Sequence, residues 1–366
     1  MQTRRIYFVG LRQGLRVWKT RRFIEQHRRG EDEGFRLQRR LRRTRIPGRA
    51  DVLFARNRPE RTADRDLAAL TRFVDWLDDG TRLVINPPRH FLLADSKDRA
   101  FEAWTREGLA CPRCWELETN QDDPRDLGCV DQIAALLETE PRIVLRTNNE
   151  WESRNLFIVD GDTPRDRIHR VVRSLKEHTA RSRRTRRDTR VVAIEYVDAR
   201  DPAGFAILGR AFVLLDRVIN YHAMVSDKLE FRVADMVPEV FERWVEANRE
   251  LRRRIDHPDF SSQLVRAVAA VGNNIGAVDF LLRDGAPILL EVNPLWGAVP
   301  RRYSFGNADF ERLVEQTEDF WSKELPNVAY NLDVVRFYRE MYDYIAEYLD
   351  RGSHRSDPSG SSSPDV

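Results

Sequence analysis

One stretch, VDFLLRDGAPILLEVNPLWG at residues 278–297, constrains the fold more than any other part of the chain. It reads as two strands around the turn signal Asp284-Gly285-Ala286-Pro287. Side chains alternate faces along a strand, so residues of like parity share a face. The even positions Phe280, Leu282, Ile288, Leu290 and Val292 are apolar and predict one core face. The odd positions carry Asp279, Glu291 and Asn293, three oxygen-bearing side chains on an otherwise apolar hairpin. A three-residue loop containing Gly285 puts all three on one face, whereas a two-residue Asp-Gly turn sends Asp279 to the other. Two positions apart, Glu291 and Asn293 are separated by roughly 7 Å at the backbone, a span suited to gripping small hard cations together with phosphate oxygens. The two carboxylates are expected to repel each other until a metal arrives.

The charge pattern narrows the partners. The 366 residues carry a formal net charge of +3. Residues 1–50 alone hold sixteen Lys/Arg against Glu25, Glu31, Asp32 and Glu33, a charge of +12 that leaves the remaining residues at −9. A basic segment of this kind either meets phosphates, acidic peptides or nucleic acid, or is a solvated surface, the commoner case. The opening MQTRRIYFVGLRQG has an apolar run, Ile6 to Val9, too short for a signal peptide, and no apolar run approaches a transmembrane length. Three cysteines, Cys111, Cys114 and Cys129, argue against a disulfide framework and for a reducing, cytoplasmic setting. Cys111-Pro-Arg-Cys114 has half a zinc knuckle's spacing, but a tetrahedral site needs ligands from elsewhere.

Along the chain, RRIYFVGLRQG, ADVLFARN and RLVIN read as strands around a helix in DRDLAALTRFVDWLDDG closed by Gly80, a small α/β unit. DSKDRAFEAWTREG reads as a helix, RIVLRT and NLFIVDG as a hairpin, and PRDRIHRVVRSLKEH as a helix. VVAIEYVD and GRAFVLLDRVINYHAMVS follow as strands, then helices over 237–256 and 261–271 and the hairpin described above. A final helix spans 331–350, and the Ser/Pro/Gly/Asp-rich tail 351–366 has the composition of a disordered segment.

In this order the pieces resemble the ATP-grasp superfamily, which includes glutathione synthetase and D-alanine–D-alanine ligase. GAVDFLLRDGAPILLEVNPLWG is similar to the family's metal-binding end. VINPPRHFLLADSKDRAFEAWTREGLACPRCWEL is similar to its Asn-Pro, lysine-bearing helix and following strand. RIVLRT, VVAIEYVD and GRAFVLLDRVI fall where the family has its phosphate-binding strand, adenine hinge and arginine-bearing strand, so the match runs from about residue 84 to residue 298. The resemblance implies an α/β chain in which two α+β lobes grip ATP, preceded by a small α/β domain. The expected boundaries are 1–90 for the N-terminal domain, 91–189 and 190–350 for the two lobes, and 351–366 for the tail.

The same resemblance implies roles for individual residues. Asp279, Glu291 and Asn293 would hold Mg²⁺, or Mn²⁺, against the ATP phosphates. Arg210 would be catalytic, steadying the charge of a phosphorylated intermediate. Lys97 and Arg146 would contact phosphate, and Glu195, Tyr196 and Val197 would meet adenine, Glu195 accepting from its exocyclic amine. The implied reaction is ligation of a carboxylate substrate to an amine acceptor, each a small molecule or peptide and one of them anionic, through an acyl phosphate. A homodimer fits such a chain; a membrane or nucleic-acid partner does not.

Two departures stand out. The family's second phosphate-binding lysine is Arg146 here, and the loop after it, TNNEWESRN, has no glycine and carries Glu150 and Glu152. Either Arg154 with the Asn148-Asn149 pair takes over the phosphates, or the activity is altered. The alternatives are therefore a phosphotransferase on the same fold, and a nucleotide-binding scaffold whose basic segment docks a partner.

Overall fold

The computed structural model describes residues 4–10, 35–39, 51–56, 63–78, 80–120, 123, 125–149, 155–184, 186–230, 236–294, 307–325 and 334–351. The tail beyond 351, Glu150, Glu152 and Arg154, and all of the basic N-terminal segment except two strands lie outside the described residues.

Three four-stranded sheets organise the chain. The first is parallel, in the order β2 (Phe35–Arg39), β1 (Arg4–Gly10), β3 (Val52–Arg56), β4 (Leu83–Ile85). The helix α1 (Asp64–Leu77) connects β3 to β4 and buries Leu67, Leu70, Val74 and Leu77 at helical spacing. Strand β2 lies inside the arginine-rich run, where FRLQR shows little apolar content to announce it.

After the short helix α2 (Phe91–Asp95) and α3 (Lys97–Arg106), the second sheet is antiparallel. Its strands are β5 (Cys114–Glu116), β6 (Arg142–Thr147), β7 (Phe157–Asp160) and β8 (Val191–Glu195), in the order β5-β8-β6-β7. Helices α4 (Cys129–Thr139) and α5 (Arg165–Ser182) cover one face, packing on Ile143, Leu145, Val191 and Ala193. Parity therefore turns Val144, Arg146, Val192 and Ile194 to the other face.

That other face meets the third sheet and its helices. Strands β9 (Ala206–Leu214), β10 (Arg217–Ser226), β11 (Ile275–Arg283) and β12 (Ala286–Asn293) run antiparallel in the order β10-β9-β11-β12. Helices α6 (Phe241–Ile255) and α7 (Pro258–Ala270) lie between β10 and β11 in sequence and pack on this sheet. The largest core joins Trp104 of α3, Val192 and Ile194 of β8, Trp244 of α6 and Phe280 of β11. Trp104 Nε1 donates to the Ala267 carbonyl at 2.8 Å, so α3 is bolted to α7. A second core seats the parallel sheet against the third sheet through Phe54, Ile85, Phe212, Leu214, Ile275 and Ala277. The closing helix α10 (Val334–Asp350), reached through α8 (Ala308–Gln316) and α9 (Glu318–Glu324), adds Met341, Tyr344 and Ile345 to that core.

The expected α/β class, a small parallel unit followed by two α+β units, is the observed one. The hairpin departs from expectation in one respect. Arg283 faces Ala286 across a two-residue turn, Asp284 and Gly285, both at positive φ (52° and 79°). Such turns match the twist of the flanking strands. The register then shifts by one residue, since Phe280 pairs with Leu289 but Asp279 pairs with Glu291. Leu290 is the extra residue of a β-bulge, and it returns Asp279 to the face of Glu291 that the tight turn alone would deny it. The bulge also switches the parity of the core face on β12. Leu289 and Val292, rather than Leu290, join Phe280 in the core. Among the described residues no helix is long and apolar enough to cross a membrane.

Candidate active site

The bulge completes a row of polar side chains across the third sheet. His222 on β10 pairs with Arg210 on β9, Arg210 with Asp279 on β11, and Asp279 with Glu291 on β12. The Arg210 guanidinium forks onto Asp279, Nε to Oδ1 and Nη2 to Oδ2, each at 2.5 Å. Asn293 Nδ2 donates to Asp279 Oδ2 at 3.3 Å and to Glu291 Oε1 at 3.1 Å, so the three expected metal ligands converge. Lys97, the first residue of α3, closes the row with Nζ 3.1 Å from Glu291 Oε2.

Lys97 is placed there by its backbone. Its N–H donates to the Asn148 carbonyl at 2.9 Å, tying the start of α3 to the end of β6. The Asn148 carboxamide reinforces the joint, donating to Ser96 Oγ at 2.8 Å and to the Asp188 carbonyl at 3.1 Å, and accepting from the Arg190 N–H. Asn149 Nδ2 donates to Thr189 Oγ1 at 2.9 Å. Both carboxamides are buried and engaged within the protein, so the expectation that the Asn148-Asn149 pair takes over phosphate binding does not fit their surroundings.

The electrostatics follow from burial and neighbours. Burial and the nearby Arg146 hold the Lys97 ammonium below the usual lysine value, with Glu291 opposing them. Burial works to raise Glu291, but Lys97 and Arg146 overcome it and bring the carboxyl down to about 2. Burial raises Asp279 despite the Arg210 fork, and the Glu291 carboxylate adds to the rise. The two acids do not simply repel each other, because each has its own cation. His222, enclosed beside Arg210, is held well below the ordinary histidine range by burial and by that guanidinium.

The donor set fits a hard divalent cation. Two carboxylates and a carboxamide oxygen are oxygen donors of the kind magnesium takes beside phosphate and water, although the carboxamide here turns its Nδ2 to both acids. Among the described residues no three His, Cys, Asp or Glu side chains form a metal cluster. The cysteines lie elsewhere: Cys111 Sγ donates to the Phe101 carbonyl, Cys114 sits on β5 with its thiol pushed by burial to about 12, and Cys129 is buried at the start of α4.

Glu195, Tyr196 and Val197 lie at the far end of β8. Arg146 pairs with Val192, three residues from Glu195, or roughly 10 Å along the strand. The Glu195 carboxylate faces the helical side, where it accepts from the Arg113 backbone N–H at 3.1 Å and from Arg113 Nε at 3.2 Å. Arg113 in turn reaches Glu140 at 2.7 Å. The Glu195 carboxylate, expected to accept from an exocyclic amine, is thus engaged by Arg113. Tyr196 donates its hydroxyl to the Leu229 carbonyl at 3.1 Å, and Val197 is buried.

Sequence reasoning missed Asn86 and Asn274, which pin this hairpin to the parallel sheet, and His222, which extends the row. The Asn-Pro dipeptide was a visible signal for the first. The cross-strand register that places His222 leaves no mark in sequence.

No family model matches the sequence, and no curated protein matches it. Among solved structures the chain is similar to D-alanine–D-alanine ligase from Bacillus anthracis, at 13% identity and a TM-score of 0.48, over 95% of this chain and 100% of that one. It is similar to the D-cycloserine synthetase DcsG at 15% identity and a TM-score of 0.48, over 94% and 99% of the two chains. It is also similar to the ATP-grasp ligase PsnB in complex with a precursor peptide and AMPPNP, at 16% identity and a TM-score of 0.46, over 79% and 88%. At this level of likeness, side-chain roles rest on the geometry of this chain.

Proposed function

We propose that this chain is an ATP-dependent carboxylate–amine ligase of the ATP-grasp type. The observation that carries the reading is the row Arg210–Asp279–Glu291–Lys97, which alternates cations with the carboxylates that converge on Asn293. Neither charge type serves a bare structural core well, because buried ion pairs stabilise little relative to apolar packing. Together they match a metal–polyphosphate: carboxylates for the cation, and Lys97, Arg146 and Arg210 for the phosphate oxygens.

Magnesium or manganese held by Asp279, Glu291 and Asn293 would supply charge neutralisation to the β- and γ-phosphates. The protein's own groups then position and stabilise. Glu195–Val197 would hold the adenine, and Arg146 and Lys97 the phosphates. A substrate carboxylate oxygen bonds to the γ-phosphorus as the bond from that phosphorus to the β–γ bridging oxygen breaks, releasing ADP. Arg210 faces the charge of the resulting acyl phosphate. The amine attacks the acyl carbon, phosphate departs with the acyl–oxygen electron pair, and the amine proton passes to solvent. Positioning and charge account for most of the acceleration in such transfers. The setting is cytoplasmic, in keeping with three unpaired thiols.

The test is an ADP-release screen with amino acids and short peptides as donors and acceptors, repeated with hydroxylamine. The ligase reading expects ADP release and, with the active donor, a hydroxamate from the trapped acyl phosphate. ADP release without hydroxamate makes the chain a phosphotransferase. Magnesium-dependent nucleotide binding with no ADP release for any pair makes it a scaffold.

A further inference from the structure

Asn86 follows β4 and is wholly buried, with its backbone in the left-handed region at φ 50°. Its carboxamide reaches residues about two hundred positions away. Asn86 Oδ1 accepts from the Ile275 N–H at 3.0 Å and from the Asn274 N–H at 3.3 Å, at the start of β11. Asn86 Nδ2 donates to the Pro294 carbonyl, immediately after Asn293 at the end of β12. Asn274 returns the arrangement: its Oδ1 accepts from the Asn86 N–H at 2.8 Å, and its Nδ2 donates to the Val84 carbonyl at 2.7 Å.

These bonds grip the open end of the hairpin that carries Asp279, Glu291 and Asn293. At the other end the Asp284-Gly285 turn sets one register, and the bulge at Leu290 replaces it with another. A bulge is one residue of slack. If the slack were taken up at the open end, Glu291 would leave its place opposite Asp279, and a one-residue slip turns a side chain to the other face of the sheet. Beside the ladder pairs Ala277–Asn293 and Val278–Val292, the Asn86 bond to Pro294 ties down the far end of β12.

We infer that Asn86, with Asn274, is a positioning residue that fixes the bulged register of the hairpin and so holds Glu291 and Asn293 in their binding geometry. The inference rests on the proposed nucleotide site. It also makes the junction between the parallel sheet and the third sheet part of that site's construction, because Val84 and Asn86 belong to the former and residues 274–294 to the latter.

Two substitutions separate positioning from bulk stability. Asn86→Gly keeps the positive φ without strain and removes the whole carboxamide. Asn86→Asp keeps an acceptor for the Asn274 and Ile275 N–H groups but loses the donor to Pro294. Affinities for ADP with Mg²⁺ and for adenosine without it are measured by calorimetry on the full chain. Groups that orient metal ligands typically contribute about 10–100-fold to metal affinity, so both variants should lose at least about tenfold in Mg-ADP affinity. Adenosine, which needs only the hinge, should bind both variants as it binds the wild type. Equal Mg-ADP affinity in wild type and both variants overturns the positioning role and leaves the site assignment standing, as does parallel loss of both ligands. A wild type whose ADP binding ignores Mg²⁺ overturns the site assignment, and the positioning role with it.

Discussion

Lys97 Nζ lies 3.1 Å from Glu291 Oε2, joining the first residue of a helix to the last strand of a sheet nearly two hundred residues away. The pair is largely enclosed, Lys97 at 7% and Glu291 at 24% side-chain exposure. It also reverses an expectation drawn from sequence. Two clustered carboxylates were expected to repel, so that neutralising Glu291 would leave the protein as stable or more so. With Lys97 in place, Glu291→Gln removes the carboxylate that faces a buried ammonium.

The pair should therefore be visible in a double-mutant cycle. Glu291→Gln and Lys97→Met should each destabilise the ligand-free protein by about 1–3 kcal/mol, and the double variant by clearly less than their sum. Denaturant unfolding measures all three. Strict additivity would mean that the two side chains do not interact in solution.

Arg210→Lys keeps the charge and removes the fork onto Asp279. Turnover should fall by roughly 10²–10³, the size of effect seen when one aimed donor to developing charge is lost. Steady-state ADP release with the active substrate pair gives the number. Turnover within a factor of about three of wild type would remove Arg210 from the catalytic role.

The order of elements was legible because amphipathic helices and short apolar strands leave strong periodicities, as in α1 with Leu67, Leu70, Val74 and Leu77. In the polar row Asp279, Glu291 and Arg210 were legible because they interrupt apolar strands, Lys97 only through the family resemblance, and His222 not at all. Four kinds of feature were not legible. Strand β2 is written in arginines. Helices α4, α8 and α9 were overlooked, although Cys129-Val130 with Ile133 and Phe310 with Val314 have helical spacing. The bulge left no trace, because its extra residue, Leu290, is as apolar as its neighbours. The Asn86–Asn274 pairing depends on contacts 188 residues apart, which no local pattern encodes.

Acid should act through His222. Its imidazole is buried beside Arg210 and held well below its ordinary value of 6.5, so the folded protein resists a proton that the unfolded chain accepts. Where the unfolded state binds more protons, stability rises with pH, and here that window lies below about pH 6.5. Wild-type stability should fall by about 1 kcal/mol more per pH unit on acidification through that window than the stability of His222→Gln. Urea unfolding at several pH values between 5 and 7 tests this. Identical slopes in the two proteins would show that His222 titrates alike folded and unfolded.

Packing beneath the row is tight at Gly209. A Cβ there would stand 2.3 Å from Phe280 Cζ, inside the core. Gly209→Ala should destabilise the protein by about 1–3 kcal/mol, and Phe280→Leu added to it should recover part of that. Thermal unfolding of the single and double variants decides. A harmless Gly209→Ala would mean the ring has room to move.

The central claim is that Asp279, Glu291 and Asn293 bind a divalent cation together with nucleotide phosphates. Its most direct test is calorimetric titration of ADP into wild type and Glu291→Gln, each with and without Mg²⁺. In wild type, Mg²⁺ should tighten ADP binding by at least about tenfold, and in Glu291→Gln most of that gain should vanish while Mg²⁺-free binding changes little. A wild-type affinity for ADP that is the same with and without Mg²⁺, or a Glu291→Gln variant that keeps the full Mg²⁺ effect, would contradict it.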